Sequence, residues 1–197
     1  METTGKDNWH SRGYLPHFDA PGALQHVCFR LGDSLPRQTL LRLGSETDDL
    51  QRLQKIEQLL DVGHGSCLLA RPRVAEIVQH LLLAGDGNEY LLLGWVIMPN
   101  HVHVLIEQWR DVALCKVVKG WKGRSSRLIR SAYPDDCIQP LWHRDYWDRF
   151  IRNQQHLQNV VHYIENNPVA AGLVTQATDW PWSSAWGSCE RYGRWVC

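Results

Sequence analysis

Hydrophobic and polar positions along this chain change period several times, and each change marks a predicted element. Residues 25–31 alternate weakly and predict a first strand. Turn residues Gly32, Asp33, Ser34 and Pro36 follow. A helical stretch then carries Leu40, Leu43, Leu50, Leu53, Ile56, Leu59 and Leu60, interrupted at Gly44 and Ser45. Residues 61–70 read as a Gly-rich loop. Val74, Ile77, Val78 and Leu81 recur at helical spacing, which predicts a helix over 72–83 with Pro72 in its first turn. Residues 85–88 form a turn, and 90–98 are continuously apolar, as in a buried strand. Pro99-Asn100 turns the chain, and 101–106 returns as the second arm of a hairpin.

A basic helix is predicted over 112–131, ending before Pro134-Asp135-Asp136. Residues 138–151 are aromatic and mixed. A last helix spans 153–167, with Pro168 expected to end it and free the Asn167 amide at a frayed terminus. The tail from Thr178 holds Trp180-Pro181-Trp182-Ser183-Ser184 and reads as an irregular cover. The expected organisation is an irregular lead-in over 1–24, one domain over 25–187 and a tail over 188–197. Strands and helices alternate around an antiparallel hairpin, which predicts an α+β fold, a ferredoxin-like antiparallel sheet with packed helices.

The second hairpin arm begins His101-Val102-His103. Residues two apart on a strand share a face, so both imidazoles would project together while Val102, Val104 and Ile106 point into a core. Such a pair is half of a divalent-metal site. It is also what two solvated or hydrogen-bonded residues at a strand start look like, and the tripeptide alone does not choose.

Composition sharpens the picture in three places. The 197 residues hold 21 basic and 21 acidic side chains, so the net charge is zero and a generic polyanion binder is disfavoured. The charge is nevertheless local. No acid occurs from Val112 to Pro134, where Lys116, Lys119, Lys122, Arg124, Arg127 and Arg130 recur mostly at three-residue steps. That spacing predicts a basic helix face, either solvated or suited to phosphates. The ten Trp residues suit packing, with a minority available for base stacking. Six cysteines without a C-x-x-C pair argue against a zinc knuckle. A polar N-terminus and the lack of a long apolar run predict a cytoplasmic protein with free thiols, no signal peptide and no membrane span.

The helix over 153–167 supplies a second set of candidates. Leu157, Val160, Val161 and Ile164 form its core stripe, whereas His156, Asn159, Tyr163 and Asn167 form another. Two imidazoles and the Asn167 amide oxygen could hold a divalent ion with open positions, and Tyr163 lies one turn away. Together with a phosphate-holding helix, these groups match attack of a tyrosine on a phosphodiester. A phenol with a pKa near 10 needs help to react at neutral pH.

Three segments carry a family resemblance: Gly94-Trp95-Val96-Ile97-Met98-Pro99-Asn100-His101-Val102-His103, Trp147-Asp148-Arg149-Phe150-Ile151-Arg152, and Tyr163-Ile164-Glu165-Asn166-Asn167-Pro168-Val169-Ala170-Ala171-Gly172-Leu173-Val174. With the tryptophan-rich tail they span about half the chain. In order and spacing the chain resembles the single-tyrosine HUH transposases, in particular the REP-associated tyrosine transposases of bacteria. The resemblance implies His101, His103 and Asn167 as metal ligands, Tyr163 as nucleophile, and magnesium or manganese as the ion. It implies cleavage of single-stranded DNA through a 5′-phosphotyrosine intermediate, with hairpins of repetitive extragenic palindromes as substrates. Lys116, Lys119, Lys122, Arg124, Arg127 and Arg130 are then the phosphate candidates, with Arg149 and Arg152 secondary. A homodimer that exchanges the tyrosine helix is one arrangement; a monomer with the tyrosine in place is the other.

Three other classes compete. One is a domesticated, non-catalytic hairpin DNA-binding protein. Another is a metal-dependent hydrolase, for which Glu107, on the His face of its strand, would be a remote ligand. The last is a purely structural α+β domain.

Overall fold

A computed structural model describes residues 9–11, 16–18, 20–36, 38–39, 49–109, 112–136 and 140–186. Its centre is a four-stranded sheet made from β3 (Leu24–Arg30), β4 (Tyr90–Ile97), β5 (His101–Gln108) and β6 (Trp147–Phe150). The strand order is β4-β5-β3-β6, and all neighbours are antiparallel. Helices α1 (Asp49–Asp61) and α2 (Pro72–Gly85) separate β3 from β4, and α3 (Leu114–Ala132) separates β5 from β6. That is the ferredoxin-like arrangement expected from the sequence, extended by α4 (Gln154–Ala170).

Strand periodicity divides the sheet into two faces. On one, Val27, Phe29, Val102, Val104 and Ile106 pack against Val74, Val78 and Leu82 of α2 and Val117, Val118 and Trp121 of α3. Here Tyr90 Oη donates to the Leu82 carbonyl at 2.6 Å and accepts from Trp121 Nε1 at 2.9 Å. On the other face, Val96 and Leu105 meet Val160 and Ile164 of α4. That face is shared with α1, whose Leu60 packs with Cys28 and Leu35, with Ile56, Leu59 and Trp147 alongside.

Several boundaries differ from expectation for physical reasons. Helix α4 does not end at Pro168; it runs to Ala170, with Pro168 buried inside it. Pro168 lacks the N–H that would bond the Ile164 carbonyl, and the helix continues only two residues past it. The stop is Gly172, whose φ of 69° is left-handed and whose N–H reaches the Val169 carbonyl at 3.0 Å. The expected loop over 61–70 starts later, because Asp61 still belongs to α1, and Leu68–Ala70 forms a 3-10 turn. Leu40, Leu43, Gly44 and Ser45 lie outside the described residues.

Inside the expected irregular lead-in, β1 (Trp9–Ser11) pairs with β2 (Pro16–Phe18). The ribbon reaches the β6 edge, where Phe18 N–H donates to Asp148 Oδ2 at 3.1 Å. The tryptophan-rich tail is an edge cover: Ser183 bridges to Val96, and Ile97 N–H donates to the Trp182 carbonyl at 2.8 Å. No helix among the described residues is long and apolar enough to cross a membrane.

The Tyr90 hydroxyl links three elements in a dry core, so Tyr90→Phe strands the Trp121 indole N–H. The expected loss is about 1–3 kcal/mol of folding stability, read from denaturant unfolding midpoints.

Candidate functional site

The register of β5 against β3 builds the site. Cys28 pairs with His103 and Arg30 with His101, so His26, Cys28, His101 and His103 share one face. His101 and His103 are 1% and 0% exposed, which discards the solvated alternative for the pair. Helix α4 lays Tyr163 over them: its ring centroid is 5.4 Å from that of His103 and 6.0 Å from that of His26. All these groups come from one chain.

Hydrogen bonds fix how the imidazoles point. Asn100 Nδ2 donates to the His64 carbonyl at 3.1 Å, which leaves Asn100 Oδ1 for His101 Nδ1 at 2.7 Å. The oxygen can only accept, so His101 carries its proton on Nδ1 and keeps a lone pair on Nε2. His103 Nδ1 and His26 Nε2 are 3.0 Å apart, and a proton on His103 Nδ1 leaves its Nε2 a lone pair as well. Burial lowers the pKa of all three, that of His103 to about 3, and so holds them neutral. His101 Nε2, His103 Nε2 and Asn167 Oδ1 are buried and have no hydrogen-bond partner among the described residues.

Asn167 is 2% exposed and lies inside α4, which corrects the expectation of a frayed, free amide. Burial, followed by the charge of Glu57, raises the Tyr163 pKa well above 10, and the Asn167 side chain one turn on opposes the rise.

Sequence reasoning missed His26, Glu57 and Asp61. His26 alternates with Cys28 on a strand that was foreseen, so its face was readable, but its partner was not. Glu57 and Asp61 are one turn apart on α1; Glu57 lay in a stretch predicted as helix by its leucines and Ile56, whereas Asp61 was expected in the loop that follows. Burial raises Asp61 to about 6; burial and then the Asp61 charge raise Glu57 to about 7, with Arg149 opposing. Asp61 Oδ1 is 3.7 Å from His101 Nε2. That is not an ion pair, because burial keeps His101 uncharged.

The residues present suit a divalent ion. Two imidazole lone pairs and an amide oxygen, buried without partners, are donors in search of an acceptor. No trio of His, Cys, Asp or Glu side chains is gathered tightly enough for a metal among the described residues, so the amide is needed. Glu107 does not join them. It lies six residues from His101 along β5, about 20 Å at strand spacing, beside Pro21, Gly22 and Asn88.

The basic stripe is split, and it lies elsewhere. Helix α3 packs on the opposite face of the sheet from Tyr163. Lys116, Lys119, Lys122 and Arg130 line a groove of about 610 Å³, joined by Arg144, which the sequence did not single out. Lys122 Nζ donates to the His143 and Arg144 carbonyls at 2.6 and 2.8 Å. Arg124 turns away to Glu89 at 3.5 Å, and Arg127 does not line the groove. Exposed Arg149 pairs with His26 across β3–β6, so it shares the face of the site, with Arg152 three residues further on.

The site is thus a buried histidine pair on the central hairpin of a ferredoxin-like domain, with a tyrosine laid over it. The family described as "Transposase IS200 like" matches residues 70–167. Over 94 residues the chain is 32% identical to the REP-associated tyrosine transposase of Escherichia coli (strain K12), covering 46% of this chain and 52% of that protein. Over 100 residues it is 30% identical to a putative REP-associated tyrosine transposase of Haemophilus influenzae, covering 45% and 54%. The matches thus span about half the length of these curated relatives. Across 87% of this chain and 81% of the other, the fold follows a REP-associated tyrosine transposase solved bound to a REP hairpin, with a TM-score of 0.58 at 17% identity. This chain belongs to the IS200-like transposase family. The matched stretch contains His101, His103, Tyr163 and Asn167, but not His26, Glu57 or Asp61.

Two outcomes are expected. His26→Leu should strand the buried His103 Nδ1 and cost about 1–3 kcal/mol in denaturant unfolding, whereas His26→Gln, whose amide can donate or accept, should retain most of the stability. For Glu57, the folded chain binds more protons than the unfolded chain between pH 4.5 and about 7, so stability falls as pH rises through that window. Glu57→Gln should therefore gain about 1–3 kcal/mol over wild type at pH 8 and little at pH 4.5, as pH-dependent unfolding would show.

Proposed function

We propose that this chain cleaves and rejoins single-stranded hairpin DNA through a covalent bond to Tyr163, with magnesium or manganese bound by His101, His103 and Asn167. One observation carries the reading: among the described residues the three atoms that would ligate the ion are buried without hydrogen-bond partners, and the Tyr163 ring lies 5.4 Å from that of His103. Family membership and the hairpin-bound structural relative support the substrate class. When bound, the ion supplies positive charge to the scissile phosphate.

In cleavage the Tyr163 oxygen bonds to phosphorus and the phosphorus–3′-oxygen bond breaks. The phenol loses its proton, and the leaving oxygen takes one up as a free 3′ hydroxyl. Rejoining is the reverse attack by a 3′ hydroxyl, so the phosphodiester energy is conserved. Asn167, one helical turn from Tyr163, favours the ionised phenol, and the neutral imidazoles keep their lone pairs available. Arg149 and Arg152 hold phosphates near the tyrosine. The groove of Lys116, Lys119, Lys122, Arg130 and Arg144 takes the more distant stem, without Arg124 and Arg127, which do not line it.

The test is a labelled single-stranded hairpin incubated with the protein and manganese, followed by denaturing electrophoresis. A denaturation-resistant protein–DNA adduct is expected, abolished by Tyr163→Phe and by chelation. Undiminished cleavage by Tyr163→Phe would sink the tyrosine mechanism. Tight hairpin binding with no cleavage at all would leave a DNA-binding protein without catalysis.

A further inference from the structure

Helix α1 brings two carboxylates to the site, and no charge among the described side chains fully accounts for them. Glu57 and Asp61 are i and i+4 on one helix face, an arrangement that repels. Both are partly buried, and Asp61 Oδ1 is wholly buried with no hydrogen-bond partner. Its near neighbour at 3.7 Å is His101 Nε2, itself unpartnered on a side chain 1% exposed. Two acceptors cannot satisfy each other without something positive between or beside them. Arg149 offsets Glu57 in part but is not among the groups that influence Asp61. A cation that the His101 lone pair can also reach answers both deficits.

We infer that Asp61 is the anionic donor of the metal site, adding a carboxylate to the side of the donor set formed by His101. The inference rests on the metal reading above but concerns a residue outside the family-matched stretch. Asp61 approaches His101 alone, so it extends the cluster without closing a cage. Its chemistry decides which ion is held. Imidazoles by themselves favour zinc, copper or nickel, whereas carboxylate and amide oxygens favour magnesium and manganese. With Asp61 the site offers two oxygens and two nitrogens, and it gains a formal negative charge that neutral imidazoles lack.

The test is manganese binding by the full chain, stripped of metal, followed by electron paramagnetic resonance of free Mn²⁺. Wild type, Asp61→Asn and His103→Ala are compared, and zinc competition is run in parallel. Asp61→Asn should weaken manganese binding by about tenfold or more and weaken zinc binding less. His103→Ala should lose both metals. Unchanged manganese affinity in Asp61→Asn, with binding lost in His103→Ala, overturns the role of Asp61 and leaves the metal site standing. Failure of wild type to bind manganese overturns the metal reading and this inference with it. A second measurement needs no variant: in carboxyl-labelled wild type, the Asp61 ¹³C resonance should move with added Mg²⁺ along the same saturation curve as the His103 imidazole. A resonance that stays fixed while His103 moves also overturns the inference.

Discussion

The register of β5 between β3 and β4 is the constraint on which the rest of the site depends. Strand side chains alternate, so a slip by one residue would put His101 and His103 into the layer of Phe29 and Trp121 and turn Val102 and Val104 toward Tyr163. Backbone bonds at the hairpin tip oppose such a slip. Met98 N–H reaches the His101 carbonyl at 2.9 Å, Leu31 N–H the Asn100 carbonyl at 2.8 Å, and Leu69 N–H the Pro99 carbonyl at 3.1 Å. The tip is therefore tied to the end of β3 and to the turn before α2. The same anchoring holds Asn100 against His64 and so sets which nitrogen of His101 carries the proton. Fold and protonation state are one problem here: the bonds that fix the register also aim the lone pairs.

Much of this was legible where the signal is local. The hairpin, the first strand and helices α2 to α4 follow from periodicity and turn residues within a short window. Val102, Val104 and Ile106 lie in the core as alternation requires. Tyr163 and Asn167 share a helix side, as a four-residue step requires, and Asn167 acts on the ionisation of Tyr163. What was not legible depends on pairing between distant segments. His26 meets His103 across 77 positions, a relation that only the β3–β5 register creates. Asp61 reaches His101 only because α1 packs over β3 and β6. Pro168 misled because its local preference was allowed to outweigh the helix around it, and Gly172 held the actual stop.

The charges in the site bear on how Tyr163 reacts. Neutral imidazoles contribute no positive charge, and Glu57 and Asp61 oppose formation of a phenolate. Without a cation, the phenol is less acidic in this chain than in water. A buried cation would reverse the sign of the local field, and Asn167 already favours the ionised form. The groups that hold the phenol protonated are thus the groups whose effect a nearby cation would offset.

The cations of this chain of zero net charge are divided between the two faces of the sheet. The acid-free window places its cations on α3, in the layer away from the tyrosine, and Lys122 is clamped to the carbonyls of His143 and Arg144. That clamp begins the segment that leaves the groove at Pro140–Tyr146 and becomes β6, where Trp147 packs beside His26 and Arg149 shares the face of the site. One stretch of about a dozen residues therefore runs from the groove to the chemistry. Under the proposed function, a hairpin stem held in the groove would deliver its single-stranded flank round the β6 edge to Tyr163. Groove and tyrosine need not face the same way, because the substrate rather than the protein makes the turn.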